Sequence, residues 1–364
     1  MTKKRVAVAM SGGVDSSVAA SLLLEQGYEV FGITMNVLSL LREFCADEDL
    51  KSCCGEEAIA DANLVATKLG IDHYLVDLRK PFEELVVADF IREYALGRTP
   101  NPCIRCNQHI KFDVLMQRAS KLNADFLATG HHARIDRDID TDRFILKKGK
   151  DKEKDQSYFL YMMTQQQLSR SLFPIGELTK GEVRVKAEEL GLPVAQKPES
   201  QEICFIPDNK YAGFLKERIP DAFQPGPIVS EEGHILGEHK GIIHFTVGQR
   251  RGMGISAPYP LYVLDINPKN NTVFVGPDES LYKRRLLASR LNWISKTDGI
   301  GSLAVRARVR YKHHEAKAKL HMLESGQAHI EFEKPQRAIT PGQAVVFYDA
   351  EVVVGGGTIE STDA

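Results

Sequence analysis

Near its start the chain reads Ala9-Met10-Ser11-Gly12-Gly13-Val14-Asp15-Ser16-Ser17, between an apolar run at Val6–Met10 and a stretch with helical spacing. Adjacent glycines let a backbone turn tightly and come close to a ligand. Free amide N–H groups at a helix start, joined by the hydroxyls of Ser11, Ser16 and Ser17, make a cradle for an anion. No Gly-x-x-x-x-Gly-Lys-Ser/Thr string occurs anywhere, so the cradle is not of the Walker type. A bare Gly-Gly turn is usually only a turn. The full Ser-Gly-Gly-Val-Asp-Ser run directly after a first strand is what points to phosphate.

Six cysteines carry the second kind of chemistry: Cys45, Cys53, Cys54, Cys103, Cys106 and Cys204. Two of them sit in Thr99-Pro100-Asn101-Pro102-Cys103-Ile104-Arg105-Cys106-Asn107, just ahead of a helix. A cysteine at a helix N-terminus with arginines near it, here Arg98 and Arg105, is expected to hold more thiolate. Cys-x-x-Cys is also half of a zinc site, and with Cys204 it could ligate an iron–sulfur cluster. The chain has no second separated Cys-x-x-Cys, and adjacent Cys53 and Cys54 suit one structural zinc poorly. Cys45, Cys53 and Cys54 read as inert buried thiols. Thr129-Gly130-His131-His132 ends a strand of an open sheet, where ligands tend to bind. We assign His131 a function there and leave His132 unassigned.

Charge is uneven. The whole chain has 47 Lys and Arg against 49 Asp and Glu, yet residues 240–320 hold fifteen basic and five acidic residues. In Val305-Arg306-Ala307-Arg308-Val309-Arg310-Tyr311 the alternation sets three arginines on one strand face, and Lys317 and Lys319 repeat it. A solvated outer face would look the same, but this concentration suits RNA phosphates. A second basic run covers Lys147, Lys148, Lys150, Lys152 and Lys154.

The elements that must position these groups alternate strand and helix for the first two hundred residues: strands at Val6–Met10, Glu29–Thr34, His73–Asp77 and Asp125–Thr129, helices at Asp15–Gln26, Glu56–Leu69 and Pro81–Leu96. A long functional loop is expected at 35–54. This order predicts an α/β domain, a parallel Rossmann-like sheet covered by helices. Past Cys204 a short helix at Asn209–Arg218 gives way to strands at Tyr262–Ile266, Thr272–Val275, Leu303–Tyr311, Ala316–Met322, His329–Phe332 and Ala344–Tyr348, the texture of a small barrel. At 364 residues, two or three domains are expected. We draw them as 1–206, a small linking domain at 207–280, and a β-barrel-like domain at 281–364. No export signal and no membrane-length apolar run is visible, which makes the cytoplasm the expected compartment.

The loop string resembles that of the N-type ATP pyrophosphatases, which cleave ATP between its α and β phosphates to adenylate a carbonyl-type oxygen. Together with Asn-Pro-x-x-x-Cys-Asn at 101–107, Thr-Gly-His at 129–131, Lys-Asp-Gln-Ser-Tyr at 154–158, a late cysteine and a β-rich C-terminal part, the series is similar to the bacterial tRNA-specific 2-thiouridylases over nearly the whole chain. The resemblance implies ATP, with Mg²⁺, bound by Ala9, Met10, Ser11, Gly12, Gly13, Val14, Asp15 and Ser16, with Met35 and Gly130 on the adenine side. It implies Asn101, Pro102 and Cys103 facing the target uridine, and Cys106 as a catalytic cysteine. Cys204 would carry persulfide sulfur from a donor protein. His131, Lys154, Asp155, Gln156, Arg310, Tyr311 and Gln343 would touch tRNA. Some relatives have Asp where this chain has Cys103, so the general base is open, and a cluster on Cys103, Cys106 and Cys204 is the alternative use of the third thiol. Two rivals stand beside this reading: another pyrophosphate-loop ligase, which would need neither the late cysteine nor a basic β-domain, and a non-catalytic cluster-binding RNA protein.

Overall fold

The computed structural model describes residues 3–37, 55–198, 203–206, 211–216, 218–295 and 301–362. Cys45, Cys53, Cys54 and all but the first residues of the expected 35–54 loop lie outside them. The chain divides into two units. One comprises Met1–Val86, Cys103–Asn209 and Glu351–Val353; the other comprises Val87–Pro102, Lys210–Ala350 and Val354–Ala364. Among the described residues no helix is long and apolar enough to cross a membrane.

The first unit is built on a parallel sheet of five strands, β1 (Arg5–Ala9), β2 (Glu29–Asn36), β3 (His73–Asp77), β4 (Phe126–Thr129) and the two-residue β7 (Ser171–Leu172), in the order β3-β2-β1-β4-β7. An antiparallel hairpin, β5 (Ala133–Arg137) and β6 (Phe144–Lys148), follows β4. Val6, Ala7 and Val8 are fully buried because a parallel sheet is covered on both faces. Helix α1 (Val14–Glu25) buries Val18, Ala19, Ala20 and Leu23, and helix α2 (Glu56–Leu69) buries Ala58, Ala62, Val65 and Ala66, one stripe at helical spacing. Small alanines on both helices let them lie close to the sheet. Gly70, at φ 67°, ends α2 in the left-handed conformation that glycine adopts without strain. Strand order reverses direction on either side of β1, so β1 and β4 flank the crevice where open α/β sheets bind ligands.

The second unit holds two β assemblies. In the first, β8 (Gly226–Ser230), β9 (Ile235–His239), β10 (Tyr262–Asn267) and β11 (Thr272–Gly276) run in the order β10-β11-β8-β9, and a turn at 268–271 joins β10 to β11. In the second, β12 (Tyr282–Trp293), β13 (Ser302–Arg308), β14 (Ala316–Met322), β15 (Ala328–Arg337), β16 (Ala344–Asp349) and β17 (Val352–Thr362) follow one another as β12-β15-β14-β13-β16-β17. Pairing of β17 back onto β12 closes them into a barrel, which leaves no open edge. Its core is apolar, with Leu286, Leu320, Ile330, Phe332, Phe347 and Ile359 all fully buried. The strand expected at Leu303–Tyr311 stops at Arg308, and the chain bends at the next two residues.

A strap of chain, 87–102, belongs to this second unit. Glu93, only 4% exposed, ion-pairs with Arg98 at 2.7 Å and Arg290 at 2.9 Å, and Arg98 also meets Glu360. Thr99 N–H donates to the Pro341 carbonyl at 2.9 Å, and Gln343 Nε2 donates to the carbonyls of Thr99 (2.9 Å) and Pro100 (3.3 Å). Gly342, at φ 90°, permits this approach: a Cβ there would lie 2.9 Å from Thr99 N and O. Removing one member of a buried ion pair strands the others. We expect Glu93→Ala to lower the stability of this unit by about 3 kcal/mol, read as a fall in its denaturation midpoint. Glu93→Gln should cost less, since its amide oxygen still accepts from one arginine.

Candidate functional site

The sequence Ser-Gly-Gly after β1 makes a loop whose conformation is set from three sides. Gly12, at φ 66°, lies so close to α2 that a Cβ would sit 2.4 Å from the Ala58 carbonyl oxygen. Ser11 N–H donates to Ser16 Oγ at 3.3 Å, and the Ser16 and Ser17 hydroxyls donate to the Gly13 carbonyl at 3.1 and 2.9 Å. Gly13 is the N-cap of α1 and offers no side chain to the first turn. The opening amides of α1 are therefore left for a ligand, and the helix dipole favours a negative one. Met10 and Val14 are core residues, 2% and 4% exposed, so of the expected nucleotide contacts these two are available through backbone alone. Ser11 is exposed, and Met35, at the end of β2, is half-buried.

Gly130 is the close neighbour of this loop. A Cβ on it would fall 2.6 Å from Asp15 C and Ser16 N. The turn after β4 thus presses directly on the start of α1. Asp15, in the first turn of α1, meets Lys180 Nζ at 2.7 Å from both carboxylate oxygens. Lys180 is 8% exposed and begins the helix Lys180–Glu189, whose capping box joins Thr179 and Glu182. Burial opposes the Asp15 charge, but the His132 ring and the Lys180 ammonium outweigh it and hold the carboxyl below its ordinary range.

His131 and His132 both turn inward. His131 Nδ1 is 2.7 Å from Thr129 Oγ1, and its ring lies between Phe112 and Phe173, with centroids 5.9 and 5.7 Å away. At 7% exposed it is enclosed among these rings. Asp155 is enclosed as well. It is 3% exposed, and its carboxylate accepts from Gly149 N–H, Ser157 N–H and Ser157 Oγ–H within its own loop. Gln156 braces His132, accepting from its N–H through Oε1 and donating its own N–H to the His132 carbonyl, each at 2.9 Å. Lys154 is half-buried beside them.

Cys103 and Cys106 lie at the start of one long helical run, with Pro102 opening it and Asn101 before it. From Cys106 to Leu115 the hydrogen-bond ladder widens to π-helical spacing, a form that recurs at functional sites. Cys103 is exposed and Cys106 half-buried. Asn107, 3% exposed, donates to the Phe159 carbonyl at 3.1 Å and so ties the cysteine helix to the 154–159 loop. Arg105 donates to Gln108 at 3.0 Å, whereas Arg98 is committed to Glu93 and Glu360. Cys204, half-buried, precedes Phe205, which is buried edge-on against Phe82 with centroids 5.5 Å apart. Among the described residues no group of three or more His, Cys, Asp or Glu is placed to hold a metal ion, so Cys103, Cys106 and Cys204 are not gathered as a ligand set in this conformation.

On the barrel, Arg310 and Gln343 are half-buried and reach inward: Arg310 Nη2 donates to the Val247 carbonyl at 2.9 Å and to Thr340 Oγ1, and Gln343 brackets the strap. Arg308 pairs with Glu315 at 2.9 Å and lies over the Tyr348 ring. Arg308 and Arg310 are thus partnered within the fold. Arg306 and Lys317 remain 49% and 66% exposed, Lys319 is exposed, and Tyr311 is half-buried. Lys180 and Asp151, which accepts the Lys180 backbone N–H at 2.9 Å, were not singled out from sequence, and His132 was left unassigned. Thr179-x-x-Glu182 is the capping-box signature that could have placed Lys180 in a first helical turn.

His131 makes the fold sensitive to pH. Burial, with the Lys111 and His132 charges, holds its imidazole neutral well below the usual 6.5. An unfolded chain protonates near that value and so binds the extra proton first as pH falls. The stabilising contribution is complete above about pH 6.5 and declines as pH drops towards the folded value. We expect the thermal midpoint to fall between about pH 7 and pH 5 and to fall less steeply in His131→Gln.

Comparison with known proteins agrees with this geometry. The chain matches a family model described as tRNA methyl transferase HUP domain over residues 4–208, more than half its length. It also matches a tRNA methyl transferase PRC-barrel domain over 212–277 and an aminomethyltransferase beta-barrel domain over 283–359. It is 53% identical over 356 residues, 98% of each chain, to tRNA-specific 2-thiouridylase MnmA 2 of Thermoanaerobacter sp. (strain X514). It is 48% identical over 362 residues, 99% of each chain, to tRNA-specific 2-thiouridylase MnmA of Clostridium perfringens (strain 13 / Type A). A solved 4-thiouridine synthetase–RNA complex with bound ATP aligns over 60% of this chain and 51% of that one at 18% identity and a TM-score of 0.38, too weak a likeness to carry an argument. With this identity running along almost its whole length, the chain belongs to the tRNA-specific 2-thiouridylase family.

Proposed function

We propose that the protein is an ATP-dependent sulfurtransferase acting on tRNA, replacing the 2-oxygen of a uridine (in family terms the wobble uridine) with sulfur. The observation that carries the reading is the uncapped start of α1 beneath Ser11, Gly12 and Gly13, a phosphate cradle in a chain whose full-length relatives are named 2-thiouridylases. ATP occupies Ala9–Ser16 with Met35 and Gly130, and Mg²⁺ accompanies its phosphates. The domain boundaries we propose are 1–206, 207–280 and 281–364, close to the spans of the three family models. The compartment we propose is the cytoplasm, where tRNA is modified.

The C2 oxygen of the uridine attacks the α-phosphorus of ATP, the bond to the β-phosphate breaks, and pyrophosphate leaves. The oxygen, a poor leaving group before, now departs as AMP. The outer sulfur of a persulfide on Cys204 attacks C2 and displaces AMP. Cys106 thiolate then attacks the Cys204 sulfur, which releases 2-thiouridine and leaves a Cys106–Cys204 disulfide for an external thiol to reduce. In the alternative order, Cys106 attacks the base first. Asn101, Pro102 and Cys103 face the uridine, and the strap that fixes residues 98–100 holds the chain leading to Asn101 and Pro102 within its own unit. Lys154, Gln156 and Tyr311, together with His131, Asp155, Arg310 and Gln343, are the residues at the tRNA, and a persulfide-bearing protein supplies the sulfur.

Two assays with tRNA, ATP and a persulfide donor test this. Cys106→Ser and Cys204→Ser should each lose thiolation while AMP formation stays within about threefold, because a hydroxyl holds no persulfide and is a far weaker nucleophile than a thiolate. Gly130→Ala should lose both, since its Cβ would collide with the loop backbone. Thiolation at the normal rate by either serine variant would overturn the two-cysteine route, and absence of AMP formation in the native chain would overturn the whole reading. For the RNA face, replacing Arg306, Lys317 and Lys319 with Gln should weaken tRNA binding and flatten its salt dependence by roughly one unit of slope per lost phosphate contact. An unchanged slope would place the RNA elsewhere.

A further inference from the structure

His132 is 3% exposed, and neither ring nitrogen has a hydrogen-bond partner among the described residues. Buried ring nitrogens in native folds are nearly always hydrogen-bonded, so a pair left without partners calls for an explanation. The ring is not there by slack. Gln156 holds the His132 backbone from both its N–H and its carbonyl, and Gly149 packs so tightly that a Cβ on it would lie 2.6 Å from the His132 oxygen. The fixed ring directs Nε2 at Asp15 Oδ1, 3.5 Å away, just too far for a good hydrogen bond.

Asp15 is meanwhile occupied by Lys180 at 2.7 Å. The Lys180 ammonium is the member of this group that a phosphate can compete for, because it is a cation and Asp15 and His132 are not donors of positive charge at contact distance. Its backbone is pinned by Asp151, but its four-carbon stem can swing, and an ammonium is a point charge with no fixed fork. A polyphosphate entering the cradle two residues away brings several negative charges. It competes with Asp15 for the ammonium, and on losing it Asp15 is a half-buried carboxylate without its lysine partner.

We propose that His132 is a positioning residue for the phosphate loop: when nucleotide phosphate draws Lys180 off Asp15, His132 Nε2–H takes over the Asp15 carboxylate and keeps the start of α1 in place. This rests on the ATP reading above and adds to it a residue and a ligand-driven exchange of partners. The neutral imidazole suffices, since one tautomer already supplies the N–H.

Isothermal titration of the full chain with ATP and, separately, with adenosine tests the exchange. Adenosine lacks the phosphates that would draw Lys180 away. His132→Phe, which keeps a ring but no donor, should weaken ATP binding roughly tenfold and leave adenosine binding unchanged. His132→Gln, which restores a donor, should recover most of the ATP affinity. In a Lys180→Met background, where no exchange occurs, His132→Phe should add nothing further. Thermal unfolding of each variant separates lost folding from lost binding. Equal losses for ATP and adenosine, or unchanged ATP binding in a folded His132→Phe, would overturn the proposal while leaving the ATP reading intact. A native chain that binds no ATP would overturn both.

Discussion

The approach of Gly130 to the backbone of Asp15 and Ser16 is the contact on which the candidate site depends. It is possible because residue 130 has no side chain, and it locks two loops of a parallel sheet together at the point where strand order reverses. Everything that follows β4 inherits its position from that contact: His131 packs between Phe112 and Phe173, and His132 faces Asp15. Phe112 lies on the helical run that begins with the Asn-Pro-x-x-x-Cys-Asn motif, so the same turn links the phosphate loop to the element that carries Cys106. Asn107 adds a second link by holding Phe159. Motifs at residues 10, 106, 130 and 156, far apart in the chain, are thereby ordered around one backbone contact.

The residues ahead of Cys103 are held by a different means. Their unit contributes a buried charge network, Glu93 with Arg98 and Arg290 and Arg98 with Glu360, and a set of hydrogen bonds from the barrel to Thr99 and Pro100. Buried ion pairs of this kind add little net stability against an apolar alternative, but they are directional. Here the direction matters, because the chain passes from one unit to the other at Pro102–Cys103. Gln343, read from sequence as a tRNA contact, and Arg98, read as a charge beside the cysteines, both hold the segment 98–100 within its own unit.

Much of this was legible in the sequence, and the failures have physical causes. β1, α1, α2 and β3 were readable because apolar periodicity and glycine stops coincide there. β17 was not, because Val352–Thr362 contains three consecutive glycines, which read as a breaker. The barrel needs them: a Cβ on Gly355 would lie 2.3 Å from the Asn292 oxygen, and one on Gly357 would lie 2.8 Å from the Ser289 oxygen, so the strand pairs closely with β12 only without side chains there. β12 was hidden by its Lys-Arg-Arg start, whose side chains point to solvent. The alternating arginines were seen, but their partners were not. Glu315 and Tyr348 claim Arg308, and Val247 and Thr340 claim Arg310, through contacts that only the folded barrel creates. Lys180 escaped notice for the same reason, since its partner Asp15 is 165 residues away.

A carboxylate at the mouth of an anion site requires an explanation, because a phosphate arriving there meets a like charge. The position of Asp15 supplies one. In the first turn of α1 its charge is favoured by the helix N-terminus by roughly 0.3–1 kcal/mol, and Lys180 cancels it at contact distance. The surroundings of Asp15 are therefore close to neutral, and the attraction for phosphate comes from the α1 amides rather than from a net charge. Such a cradle discriminates by geometry, since oriented amides reward an oxygen in the right place, whereas a bare lysine would attract any anion. The ion pair also joins the start of α1 to the start of the helix Lys180–Glu189, so the residue that tempers the electrostatics of the loop is the same one that holds its two supporting helices together.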